Sequence, residues 1–181
     1  MVDLSKYALK ELEESDLKLI LNWRNSKRIR NLMYTDHEIT MTEHERWFQR
    51  ITKDDSNLFK LLLYGNRRLG LVNFSNIDKM NNKCYWGFYI GDLEAPRGSG
   101  TIMGMLALDL VFEKMGLRKV CAEVLEFNSS SIRYHKKLGF KEEGRFIQHV
   151  IKNNQYIDVI PMAIFSHQWK DVKKKILTNI R

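Results

Sequence analysis

Cys84-Tyr85-Trp86-Gly87-Phe88-Tyr89-Ile90, a short loop, and then Arg97-Gly98-Ser99-Gly100-Thr101 decide how this chain is read. The first run is rich in aromatic and branched side chains and reads as a strand. The second carries two glycines and opens an apolar stripe at helical spacing: Met103, Leu106, Ala107, Leu110 and Val111, stopped near Gly116. A strand, a glycine turn and a helix N-terminus in that order form an anion site. Glycines let backbone N–H groups approach a phosphate, and the helix dipole adds partial positive charge there. Arg97 adds a full charge and a fork of donors. Taken alone, the turn also reads as a structural corner. A second stretch narrows the ligand: Asn128-Ser129-Ser130-Ser131-Ile132-Arg133-Tyr134-His135-Lys136-Lys137-Leu138-Gly139-Phe140.

Working outward, the remaining pattern is one α/β alternation with no linker, repeat or low-complexity tract. Tyr7 to Glu13 reads as a first strand, and Leu17, Ile20, Leu21 and Arg24 as a helix starting near Ser15 or Asp16. Thr42-Glu43-His44-Glu45 has a capping-box pattern and opens a second helix through Trp47, Phe48 and Ile51. Strands are expected at 58–64, 68–77 and 83–91, joined as a meander by Gly65-Asn66 and by Asp78–Asn82. Lys119–Leu125 reads as a buried strand and Ser129–Leu138 as a short helix ended by Gly139. Two closing strands, about 145–152 and 156–165, flank Asn153-Asn154. The order is β-α-α-β-β-β-α-β-α-β-β. A basic amphipathic helix is expected over 169–181, outside a core of about 7–168.

The 181 residues suit one domain, and 44% hydrophobic content with only two prolines argues against disorder. Cys84 and Cys121 sit in strand-like runs with no C-x-x-C pair, so both read as reduced core residues of a cytoplasmic protein. The five histidines are scattered without metal-ligand spacing, so no metal is expected. No apolar run approaches the roughly 20 residues of a membrane span. Charged residues interrupt the N-terminus early, so no leader peptide is read there. The net charge of +8 points to an anionic partner or to a generally basic surface. Pairing with a second copy is compatible with the sequence but not specified by it.

The two stretches together resemble the GCN5-related N-acetyltransferase superfamily. Arg97-Gly98-Ser99-Gly100 is similar to the R/Q-x-x-G-x-G/A pyrophosphate loop of that superfamily, with Ile102 in place of the final small residue. Asn128, Ile132, Lys137, Gly139 and Phe140 match the second motif, with Ser131 replacing a small alanine. The resemblance implies an α/β (α+β) fold: a mixed, mostly antiparallel twisted sheet flanked by helices, with a splayed pair of parallel strands near its centre. It also implies acetyl-CoA as co-substrate, lying in that split. The backbone of Phe88, Tyr89 and Ile90 would pair with the pantetheine arm like an added strand. Amides from Gly98 through Ser99, Gly100 and Thr101 to Ile102 would hold the pyrophosphate, with Asn128 near the pantetheine and Ser131 and Lys137 completing the site.

Amine acetylation needs a neutral amine to attack a thioester. A carboxylate or ordered water takes the ammonium proton, and an acid protonates the leaving thiolate. Glu123, in Cys121-Ala122-Glu123-Val124, is the base candidate, since an unpaired carboxylate in a buried strand is costly. A salt bridge at the sheet surface is its alternative role. Asn73 on a neighbouring strand could hold the relaying water, and Glu126 is the fallback base. The tyrosine of the family motif falls at His135, with Tyr134 beside it. His135, Tyr134, a water or no acid at all remain open for the thiolate.

Over residues 15 to 168 the chain is similar to the bacterial aminosugar N-acetyltransferases of pseudaminic acid biosynthesis. The supporting stretches are Trp23-Arg24-Asn25, Leu32-Met33-Tyr34, Glu43-His44, Gly87-Phe88-Tyr89, Glu123-Val124-Leu125-Glu126 and Tyr156-Ile157-Asp158-Val159. The implied reaction acetylates the 4-amino group of UDP-4-amino-4,6-dideoxy-N-acetyl-β-L-altrosamine, whose product leads to pseudaminic acid on flagellin or surface glycans. Matching positions suggest Arg24, Met33, Tyr34, His44 and Tyr89 line the sugar-nucleotide site. Trp47 is an aromatic that could stack a base there, or it and Phe48 form the core face of the second helix. Ribosomal-protein N-terminal acetyltransferases share several of these features. A polyamine acceptor is disfavoured because a +8 chain repels a polycation. An acyl-CoA-binding module without catalysis, or a nucleic-acid binder using Lys170–Arg181, is the non-enzymatic alternative. The lysine run 173–175 also reads as a solvated helix face.

Overall fold

A computed structural model describes residues 3–180. Eight strands form one sheet: β1 (Tyr7–Glu11), β2 (Leu58–Tyr64), β3 (Arg67–Asp78), β4 (Lys83–Ile90), β5 (Lys119–Leu125), β6 (Lys141–Glu142), β7 (Phe146–Lys152) and β8 (Gln155–Phe165). The helices are α1 (Leu17–Asn25), α2 (Lys27–Arg30), α3 (Met41–Ile51), α4 (Ser99–Asp109), α5 (Ser129–Lys137) and α6 (Ser166–Ile180). The strand order is β1-β2-β3-β4-β5-β8-β6, with β7 also on β8. Every pairing is antiparallel except β4 with β5. This is the mixed, mostly antiparallel α/β arrangement expected from the sequence.

Alternation along the strands builds two apolar layers. Leu71 and Val72 are neighbours on β3, yet Leu71 joins Ile20, Trp23, Phe59 and Tyr89 on the α1 face. Val72 joins Phe74, Trp86, Ile102, Val120 and Val124 on the α4 face. Helix α4 is apolar almost all round because it is wedged there: Ile102, Met103, Ala107 and Leu108 are all buried.

Several boundaries differ from expectation for local reasons. The first strand stops at Glu11 rather than Glu13, because Glu13 caps a 3₁₀ turn reciprocally with Asp16. The capping box of α3 is built on Thr40, not Thr42: the Thr40 hydroxyl accepts from Glu43 N–H, and Glu43 accepts from Thr40 N–H at 2.7 Å. Both threonines precede a glutamate by three residues, so the pattern fits either register. Past Asp109, α4 widens into a π-helical turn over Leu110–Lys114 before Gly116. The core does not end at 168. Trp169 and Ile176 on α6 are 2% and 3% exposed, and Trp169 Nε1 donates to Asp109 at 2.8 Å. Lys173 pairs with Asp109 and Glu113, so part of the basic run serves to dock α6. No helix among the described residues is long and apolar enough to cross a membrane.

Candidate active site

Strands β4 and β5 pair only over Lys83↔Lys119, Cys84↔Val120 and Tyr85↔Cys121, then part. Beyond that point β4 keeps its β3 partners, Gly87↔Asn73 through Ile90↔Gly70, while β5 keeps β8. The β5-facing edge of Trp86 to Ile90 is thus a run of backbone groups without a strand partner. An extended arm with amide groups fits such an edge by adding as a strand. A cleft of about 870 Å³ occupies the split and passes between the two layers. Gly100, Asn128, Ser131, Tyr134 and His135 line it on the α4 side; Arg24, Met33, Tyr34, Tyr89 and Glu123 line it on the α1 side.

On the α4 side, Gly98 caps the helix at φ 93°, a left-handed conformation that glycine adopts without penalty. Ser99 N–H donates to Pro96 O and Ile102 N–H to Gly98 O, both inside the chain. Of the amides expected to hold a pyrophosphate, those of Gly98, Gly100 and Thr101 therefore remain as candidates, and that of Ile102 does not. The Ile102 side chain is 1% exposed and points into the core, so it does not crowd the loop. Ser99 is tied inward, its hydroxyl donating to Pro96 O at 2.6 Å and lying 3.1 Å from the Tyr7 hydroxyl. Arg97 is exposed at the turn. Lys137 reaches from α5 to donate to Thr101 Oγ1 at 3.0 Å, which brings a second cation to the same helix end. Asn128 caps α5, its side-chain oxygen accepting from Ser131 N–H at 3.1 Å.

His135 and Tyr134 lie behind the strand edge. The imidazole is 3% exposed and surrounded by Trp86, Phe88, Tyr134 and Phe140. Its Nδ1 donates to Ser131 O at 2.8 Å and its Nε2 accepts from Trp86 Nε1 at 3.2 Å. Burial pushes its pKa down to about 4, so the ring is neutral near pH 7 and its one proton is engaged. That geometry leaves no proton for a thiolate. The Tyr134 hydroxyl donates to Gly100 O at 2.6 Å, at the start of α4, and burial raises its pKa.

On the α1 side, Glu123 is half-buried and its Oε2 accepts from the Tyr34 hydroxyl at 2.6 Å. Burial, then this bond, raises the Tyr34 phenol pKa. Asn73 and Gly87 are register partners. Continuing the Tyr85↔Cys121 register across the split puts Glu123 on the same face. A Cβ on Gly87 would lie 2.9 Å from Asn73 Oδ1, so the glycine leaves room for the carboxamide. Asn73 itself is not among the cleft-lining residues. Tyr89 lies beside Arg24, whose guanidinium donates to Thr35 O and Oγ1 at 2.8 and 2.9 Å. Burial lowers the Arg24 pKa, and its Nη1 is buried without a partner.

Two expected acceptor residues are elsewhere. His44 is 4% exposed on α3, stacks on Trp47 with centroids 4.8 Å apart, and does not line the cleft. Trp47 meets Phe59 edge-on and is half-buried beneath β2. Both pack α3 onto the rest of the protein, the alternative the sequence left open for Trp47. Glu126 is engaged by Arg145, which also pairs with Asp158. Arg28 stands at the cleft wall, and the buried Lys152 went unnoticed in the sequence. Among the described residues no cluster of His, Cys, Asp or Glu is placed to hold a metal.

The acetyltransferase (GNAT) domain family pattern matches residues 9–160, so the chain belongs to that family. It is 25% identical over 161 residues to the spermidine N(1)-acetyltransferase of Escherichia coli K12, covering 89% of this chain and 87% of the relative. It is 26% identical over 164 residues to acetyltransferase PseH of Campylobacter jejuni, covering 89% and 99%. The fold superposes with a TM-score of 0.85 on a crystal structure of Vibrio cholerae spermidine N-acetyltransferase in complex with CoA and spermine, at 23% identity, covering 91% of this chain and 98% of that one. The chain is an N-acetyltransferase that uses acetyl-CoA.

Proposed function

We propose that this GNAT enzyme acetylates the 4-amino group of a UDP-linked 4-amino-4,6-dideoxy sugar, UDP-4-amino-4,6-dideoxy-N-acetyl-β-L-altrosamine, with Glu123 as the base. One observation carries the acceptor choice. Glu123 is the one carboxylate among the described residues lining the cleft, and Arg24 and Arg28 line the same cleft. That wall suits an amine carried on an anionic molecule. The similarity to PseH supports the same choice.

The amine enters from the α1 side, beside Met33, Tyr34 and Tyr89. Glu123 takes the ammonium proton directly or through a water held by Asn73. The amine lone pair then attacks the thioester carbon, the C–N bond forming as the C–S bond breaks, and the second proton of the nitrogen leaves to water. Backbone N–H groups of β4 polarise the thioester oxygen. Gly98, Gly100, Thr101, Arg97 and Lys137 hold the pyrophosphate, and Asn128 and Ser131 border the pantetheine arm. The His135 proton is engaged by Ser131 O and the Tyr134 proton by Gly100 O, so Tyr134 protonates the thiolate only by exchanging that bond for the sulfur; its raised pKa keeps it in the donor form.

The spermidine acetyltransferase relatives favour a second reading, a polyamine acceptor. A polycation needs several carboxylates to replace its hydration, and this cleft offers one among the described lining residues. The test is acetyl-CoA with the UDP-4-amino sugar, followed by CoA release and the mass of the sugar. One added acetyl group, lost in Glu123→Gln with acetyl-CoA still bound, is the expected result. Undiminished turnover by Glu123→Gln would overturn the base. Acetyl-CoA binding without transfer to the sugar would overturn the acceptor and bring peptide N-termini forward.

A further inference from the structure

Lys152 is 5% exposed, and an ammonium group so placed must find partners to replace its water. It has two: Met33 O at 2.7 Å and Asp36 Oδ2 at 3.1 Å. Both lie in the irregular loop between α2 and α3. This loop is otherwise clamped from nearby in sequence: Arg24 donates to Thr35, Asn25 exchanges two bonds with Ile39, and Arg30 pairs with Glu38. Its described polar ties to the far part of the chain are Lys152 to Met33 and Asp36, and Tyr34 to Glu123. Met33 and Tyr34 are consecutive, so Lys152 holds the residue immediately preceding the one that grips Glu123.

The ties close a ring. Glu123 on β5 is opposite Pro161 on β8. β8 pairs with β7, where Lys152 is opposite Gln155. Lys152 crosses to Met33, and Tyr34 returns to Glu123 at 2.6 Å. The ring is made of β-ladders, chain continuity, the Tyr34–Glu123 bond and the Lys152 ammonium, which bridges from β7 to the loop. The closing hairpin is thereby connected to the acceptor wall.

We propose that Lys152 is a positioning residue: it fixes the Met33–Tyr34 segment so that the Tyr34 hydroxyl orients the Glu123 carboxylate toward the acceptor amine. The proposal rests on the reading of Glu123 as base. It is tested on the full chain, with tyrosine labelled at Cζ and the Tyr34 signal assigned by Tyr34→Phe. Lys152→Met should move the Tyr34 signal toward that seen in Glu123→Gln. It should also lower kcat/KM for the UDP-4-amino sugar on the order of tenfold or more, since small misplacements of reacting groups are expensive. Acetyl-CoA affinity should stay within about twofold, because that site is on the other face of the sheet. On a Tyr34→Phe background the same substitution should add little, the signature of one shared interaction. Lys152→Arg should restore much of the activity, and Asp36→Asn, at an exposed site, should give a smaller shift of the same sign. An unmoved Tyr34 signal, losses that multiply, or a parallel loss of acetyl-CoA binding would overturn the proposal. Full turnover by Glu123→Gln would overturn the base reading alone, since the Tyr34 signal needs no acceptor to report the tie.

Discussion

Acidification from pH 7 to pH 5 should weaken this protein by about 2 kcal/mol through His135 alone. The ring is 3% exposed and both its nitrogens are hydrogen-bonded in the neutral form, so a second proton has no acceptor and no water. Its pKa falls from the ordinary 6.5 to about 4. The unfolded chain therefore binds the proton first. The stabilisation is fully present above about pH 6.5 and is lost as pH falls through the window to about 4. The whole gap corresponds to about 3 kcal/mol. At pH 5 the unfolded imidazole is almost fully protonated and the folded one only about a tenth, which leaves about 2 kcal/mol lost. Urea unfolding at both pH values, on wild type and His135→Gln, isolates this contribution because glutamine does not titrate and the remaining groups cancel. Wild type should lose about 2 kcal/mol more than the variant. Equal losses, or an imidazole NMR titration near 6.5, would refute the reasoning and return His135 to consideration as the acid.

Three further outcomes follow from the site. Glu123→Gln should lower kcat by about 10²- to 10⁴-fold with the acetyl-CoA Kd unchanged; parallel losses in binding, seen by calorimetry, would make Glu123 structural. Gly87→Ala places a Cβ 2.9 Å from Asn73 Oδ1 and displaces a flexible carboxamide, so turnover should fall while stability changes by less than about 1 kcal/mol. Unchanged turnover would remove Asn73 from the proton path. Arg97 is exposed, so Arg97→Ala should leave Tm unchanged and raise the acetyl-CoA Kd by about fivefold at low salt, with the difference shrinking as salt rises. A salt-independent Kd would place the pyrophosphate elsewhere.

The elements on the α4 side of the cleft were legible in the sequence because their signals are local. A glycine turn, the helix that follows and Asn128 three residues before Ser131 are each specified within a few positions, and the structure builds them as caps. Strand alternation was equally local, and β2 to β5 fall where the pattern put them. The acceptor side was less legible. Glu123 lies on a strand the sequence placed, but Tyr34, whose hydroxyl it accepts, is 89 residues away, and Lys152 is 119 residues from Met33. Pairings at that range leave no periodic trace. His44 and Trp47 were misplaced because an aromatic beside a basic group reads alike in a core and in a binding wall; only the packing of α3 on Phe59 separates the two. For His135, a motif position gave the address but not the chemistry. Trp86 arrives from β4 and donates to the nitrogen left free.

The chain supplied with acetyl-CoA and equal amounts of the UDP-4-amino sugar and spermidine, with both products followed by mass, tests the acceptor most directly. The cleft, with Arg24, Arg28 and one carboxylate among its described lining residues, predicts acetyl on the sugar and unmodified spermidine. Acetylated spermidine beside an untouched sugar would contradict it.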